Sequence, residues 1–89
     1  MVSGHSSSRR AHSSDALGPL IGHTRAALLG DLALARTTTE LADLHALGPG
    51  TVSRHLSVLH GVRLVSRNRQ GRRVLYAQTA LARALLAAR

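Results

Sequence analysis

The sequence contains no cysteine, tryptophan, phenylalanine or lysine, a single tyrosine, and four acidic residues among 89. Without cysteine there are no disulfide frameworks, thiolate metal sites or thiol nucleophiles, and the redox compartment is left open. Long apolar runs are missing too. AALL and ALLAA fall far short of the roughly 18 residues of a membrane span, and Met1 to Asp15 has no signal-peptide core. The four carboxylates, Asp15, Asp31, Glu40 and Asp43, are too isolated to form an acid–base pair. Ser53 and His55 alternate on a predicted helix and point about 160° apart, so they form no catalytic dyad, and no GxxxxGK phosphate loop occurs. Enzymatic chemistry is not expected. Length is scarce as well: one small domain buries only about 60% of its unfolded surface, so a partner subunit is expected.

What is present is arginine. All twelve basic residues are arginine, for a formal charge of +8. Choosing arginine over lysine, beside so much alanine and leucine, fits a GC-rich genome, but that does not explain where the arginines fall. Residues 1–43 hold Arg9, Arg10, Arg25 and Arg36 against the four acids and sum to zero. Beyond them Arg54, Arg63, Arg67, Arg69, Arg72, Arg73, Arg83 and Arg89 stand with no acid and carry the whole surplus. A block this basic attracts polyanions, nucleic acid first and an anionic membrane second.

The texture along the chain divides it in two. Residues 1–16, rich in serine with an arginine pair, have too little apolar content to offset their ordering entropy and read as a disordered tail. Residues 17–89 read as one domain. Thr24 to Ala35 is predicted as a helix whose apolar face holds Ala27, Leu28, Ala33 and Leu34, with Leu32 close by. Thr37 and Glu40 stand in the S/T-x-x-E relation of a capping box, which starts a helix at Thr38 with Leu41, Leu44 and His45 as its core face. Pro49 suits the first position of a next helix. That helix runs to about His60, with Val52, Leu56 and Leu59 as its apolar stripe and Gly50, Arg54 and Ser57 opposite. LVSRNRQGRRVLYAQ reads as a β-hairpin turning at Gln70-Gly71, a register that sets Arg69 against Arg72. Thr79 then caps a last helix with Leu81, Leu85 and Ala88 on one face. The fold class expected is mainly α with a small β-hairpin.

Two helices with a short joint, then a basic hairpin and a last helix, make the layout of a winged helix-turn-helix. From Leu20 to Leu86 the chain resembles the ArsR-type family of bacterial transcriptional regulators. The resemblance rests on TRAALLGDL, TTTELADL, GPGTVSRHLSVL and LVSRNRQGRRVLYA. It implies a cytoplasmic, sequence-specific binder of double-stranded DNA, a repressor acting as a homodimer through its first helix, Leu17 to Leu34, and its last, Ala80 to Ala88. Gly50, Thr51, Ser53, Arg54 and Ser57 match positions that enter the major groove, and Arg67, Arg69, Gln70, Arg72 and Arg73 match the wing. His55 matches a common histidine of the family beside the apolar stripe and is expected to be half-buried. Three departures bear on the turns: His45-Ala46 where the family has an apolar residue and glycine, Gly48 where it has a serine cap, and Val62-Arg63 where it has Ala-Gly.

Many such regulators sense metals, but here the first motif helix has no cysteine and the last helix has no histidine or carboxylate. The six histidines lack the i, i+4 or His-x-x-Glu spacings that place ligands on one helix face, so no metal or other cofactor is expected. The competing reading is a winged-helix interaction module that binds protein or RNA, or that partners a longer regulator. A membrane-surface role ranks below both, because the arginines sit in a hairpin and not along one face of an amphipathic helix.

Overall fold

The computed structural model describes Gly18 and residues 21–88; the serine-rich tail expected over 1–16 lies outside them. Helix α1 spans His23–Gly30, shorter than its expected range. After Gly30 the chain tightens into a 3-10 turn, Asp31–Ala33, in which Leu32 (φ −94°, ψ 18°) has left helical geometry, and Leu34 is already extended. The change of period alters the buried face. Ala26, Leu28, Leu29 and Leu32 are buried, whereas Ala27, Ala33 and Leu34 are exposed. Extension at Leu34 has a purpose further on, because Arg36 pairs with a strand of the hairpin.

Helix α2, Thr38–His45, starts on the capping box expected for it. The Glu40 N–H donates to Thr37 Oγ1 at 3.1 Å and the Thr37 N–H donates to Glu40 Oε1 at 2.8 Å. Its inward face is Leu41 and Ala42; Leu44, expected inside, is exposed, and His45 reaches sideways to Asp31 (Nε2 to Oδ2, 2.6 Å). Helix α3, Pro49–Gly61, has Pro49 in its first turn and buries Val52, Leu56 and Leu59. Burying side chains of this size contributes roughly 1.5–3 kcal/mol each.

Both helices end the same way. Ala46 is left-handed (φ 54°), the Leu47 N–H donates to Ala42 O and the Ala46 N–H to Asp43 O. Arg63 is left-handed (φ 65°), the Leu64 N–H donates to Leu59 O and the Arg63 N–H to His60 O. These 6→1 and 5→2 bonds are Schellman closures, which satisfy carbonyls at the helix end and normally use glycine at the left-handed residue. Here they are built on alanine and arginine, at the two positions where the family resemblance leads one to expect glycine.

Strands β1 (Val65–Gln70) and β2 (Arg73–Gln78) form the antiparallel hairpin. Its pairing is shifted by two residues from the expected one: Gln70 faces Arg73, Arg69 faces Val74, Arg67 faces Tyr76 and Val65 faces Gln78. The turn is therefore Gly71-Arg72, and only Gly71 has positive φ (63°). Glycine at the first central position is the requirement of a type II′ turn, and it pulls the turn one residue later. The slip separates Arg69 from Arg72, so no two arginines stand directly opposite, an arrangement that would destabilise the pair. On the other side of β2, Arg36 and Tyr76 exchange N–H···O bonds of 3.0 and 2.8 Å. β2 is thus flanked on both sides and β1 is the outer strand.

Helix α4, Ala80–Ala87, is capped by Thr79, whose Oγ1 accepts from the Ala82 N–H and donates to Arg63 O at 2.8 Å. It buries Ala82 and packs Leu86 against the core, but Leu81 and Leu85 stay exposed. One cluster of alanine, leucine and valine unites all these elements, and among the described residues no polar or charged residue is buried. The result is a winged helix-turn-helix, with four helices and a two-stranded wing between His23 and Ala87.

Candidate functional site

Helix α3 is fixed by its buried stripe. Opposite that stripe Gly50, Ser53, Arg54 and Ser57 are exposed, and Thr51 is partly so. The side chains are short apart from Arg54, so the face is low relief with one long cationic fork standing on it. Val58 extends the same surface as an exposed apolar residue.

His55 lies on the flank between the buried and exposed faces, partly buried as expected. Its Nδ1 is 3.3 Å from the Nη1 of Arg25, whose Nε donates to Ile21 O. A guanidinium only donates, so Nδ1 is the acceptor and the imidazole is neutral with its proton on Nε2. Burial, and then the neighbouring charges of Arg25 and Arg54, lower its pKa below the ordinary 6.5. The sequence marks Arg25 only as a helical position; its contact to α3 is visible in three dimensions alone.

The hairpin sorts its side chains onto two faces. Register places Val65, Arg67, Arg69, Val74, Tyr76 and Gln78 on one, and Ser66, Asn68, Gln70, Arg73, Leu75 and Ala77 on the other. At its base the first face joins the core: Val65 is buried, Tyr76 packs against the cluster and Gln78 Nε2 donates to Leu29 O. Towards the tip Arg67, Arg69, Val74 and Tyr76 line an open hollow. On the second face Arg73 Nη2 lies 3.6 Å from Glu40 Oε2. The wing residues singled out from sequence are therefore not one patch: Arg67 and Arg69 share a face, Gln70 and Arg73 share the other, and Arg72 is in the turn.

Partners divide the arginines further. Arg25, Arg36, Arg73 and Arg83 are each held by a protein acceptor. Among the described residues Arg54, Arg63, Arg67, Arg69 and Arg72 have no side-chain hydrogen bond or ion pair, and all are exposed. Cationic forks left free on a helix face and a hairpin are what a polyanion requires. Among the described residues no group of three or more histidine, aspartate or glutamate side chains is gathered to hold a metal ion; His5 and His12 lie outside them. No helix among the described residues is long and apolar enough to cross a membrane.

Known proteins share this fold. Residues 32–67 match the family model for bacterial regulatory proteins of the arsR family, a span from the 3-10 turn to Arg67. In structure the chain is similar to RV1404 from Mycobacterium tuberculosis, with a TM-score of 0.74 and 25% identity over 85% of this chain and 55% of that one. It is similar to a mutant of ZitR from Lactococcus lactis, with a TM-score of 0.67 and 27% identity over 71% of this chain and 46% of that one. A mutant of MepR from S. aureus, in a structure bound to an oligodeoxyribonucleotide, shares the fold at a TM-score of 0.67 and 23% identity, over 93% of this chain and 64% of that one. The chain thus spans about half the length of the first two. Curated protein sequences give no match.

Proposed function

From residues 32–67, which carry the helix-turn-helix of the arsR family of bacterial regulatory proteins on a winged-helix fold, we infer a DNA-binding transcriptional regulator. The observation that carries the reading is Arg54: a partnerless arginine on the solvent face of α3, directly opposite the stripe that anchors the helix. In a major groove such a fork meets guanine O6 and N7, while Gly50, Thr51, Ser53 and Ser57 let the helix approach closely and hydrogen-bond base edges or phosphates. Arg67, Arg69, Gln70, Arg72 and Arg73 form the wing that follows the backbone. The protein is read as cytoplasmic and without catalytic activity.

The reading extends to a homodimeric repressor. Leu81 and Leu85, one turn apart on α4, are 50% and 37% exposed, and Leu34 is 68% exposed. Paired about a two-fold axis, such surfaces would be covered, and the two recognition helices would address half-sites about 34 Å apart.

The test is selection of bound duplexes from a random pool, followed by Kd measurements for wild type and Arg54→Ala on the selected and on random DNA. Arg54→Ala is expected to cut the specificity ratio by roughly 5–150-fold, the worth of about 1–3 kcal/mol per bidentate base contact, with a smaller loss on random DNA. No enrichment, or no salt dependence of Kd, would transfer the protein to the interaction-module reading, in which this face meets protein or RNA.

A further inference from the structure

We propose that the hairpin divides its arginines between two tasks: the Arg67–Arg69 face takes phosphate oxygens, while Arg73, held by Glu40, positions the wing on α2. This rests on the DNA-backbone reading above.

The positioning half follows from how β2 is fastened. At Tyr76 the strand is tied by two main-chain hydrogen bonds to Arg36, one residue before the cap of α2. At Arg73, next to the turn, it is tied again, now to a side chain of α2's first turn. The two points are three residues apart, about 10 Å along a strand. A hairpin pinned at one point can swing; pinned at two it has a direction. Glu40 is suited to the second point because its carboxylate is already oriented. One oxygen accepts from the Thr37 N–H at 2.8 Å and the other faces Arg73 at 3.6 Å. With Nη2 turned to Glu40 the Arg73 charge is partly offset, which favours the partnerless Arg67 and Arg69 as the phosphate contacts.

The binding half follows from the opposite face. Arg67 and Arg69 are two residues apart on β1, about 6.6 Å between Cα atoms. Both are exposed and partnerless, and they flank the half-buried Tyr76 and Val74 across the strand. Two forks at that distance reach oxygens of one phosphate group or of neighbouring ones, with the phenol of Tyr76 as a further donor. Charge and burial therefore separate two kinds of arginine that the sequence shows as a single run.

The salt dependence of binding to the selected duplex tells them apart, since log K falls with log salt at a slope of about 0.9 per phosphate neutralised. Arg67→Ala and Arg69→Ala are each expected to lower that slope by about 0.9. Arg73→Gln is expected to weaken binding several-fold at unchanged slope, Arg73→Lys to restore it, and Arg73→Gln to have no added effect once Glu40→Gln is present. A slope reduced by Arg73→Gln, or an effect of Arg73→Gln that persists in the Glu40→Gln background, would overturn the division. The free protein gives a separate readout: a double-mutant cycle of Glu40→Gln and Arg73→Gln in thermal unfolding should show coupling that fades at high salt. Absence of coupling sinks the positioning role whether or not DNA binds. A wild type that binds no DNA while the coupling persists sinks the DNA reading and the phosphate role with it.

Discussion

At the scale of single residues, the structure spends stability on two side chains that a glycine would relieve. Ala46 and Arg63 close α2 and α3 in left-handed geometry, which costs an L-residue about 1–2 kcal/mol; glycine gives back part of that gain through its freer unfolded state. Ala46→Gly and Arg63→Gly are each expected to stabilise the fold by about 0.5–1 kcal/mol, raising Tm by several degrees in a domain this small. Thermal unfolding followed by circular dichroism checks this, and a lower Tm for both variants would contradict it. These sites were legible in the sequence, because glycine is what both positions call for in similar proteins. The partners of Arg25 and Glu40 were not. Nothing local to TRAALL points to a histidine thirty residues on, and the capping box explains Glu40 so fully that its second oxygen raises no question.

Elements were legible to differing degrees for a physical reason. α2, α3 and α4 begin on signals carried by neighbouring residues, Thr37 with Glu40, Pro49, and Thr79, and the structure starts them there. The hairpin register depends on which turn residue tolerates positive φ, and QGRR allows two placements that differ by one; Gly71 settles it. The end of α1 depends on Arg36 finding β2, a pairing forty residues away that no local period encodes. Between elements, the Arg25–His55 contact ties α1 to α3 and requires an uncharged imidazole. With a folded pKa held below 6.5, the unfolded chain binds the proton more readily, so this residue lowers stability as pH falls below 6.5 towards the folded value. His55→Gln, which keeps an acceptor without a titration, should show a shallower loss of stability than wild type over that window in urea unfolding at stepped pH. Equal slopes would mean that the contact does not depend on protonation.

At the scale of the whole molecule, a single small core supports a surface with two unlike regions. One is the unpaired arginine of α3 and the wing; the other is the leucine of α4 and of the segment after the 3-10 turn. If the leucines are a two-fold interface, Leu81→Ser with Leu85→Ser should shift a dimer towards monomer in sedimentation and weaken operator binding while leaving the helical circular dichroism in place. An unchanged sedimentation coefficient would place the contact elsewhere or remove it. Much of this layout could be read in advance, since the charge asymmetry and the apolar stripes are properties of the chain. The sorting of the wing into two faces could be read as well, because strand alternation sets it and a two-residue change in pairing leaves every side chain on its own face; which residues stand opposite one another could not.

That β1 is the outer strand has a consequence of another kind. An unpaired strand edge is a template for other chains to join, and proteins blunt such edges with charge. Arg67 and Arg69, alternating along this edge and free of internal partners, set like charge against like whenever two wings approach. The same guanidinia that would meet a phosphate thus keep the wing from adding strands to itself, and a variant that neutralises both loses protection against aggregation along with any anion it held.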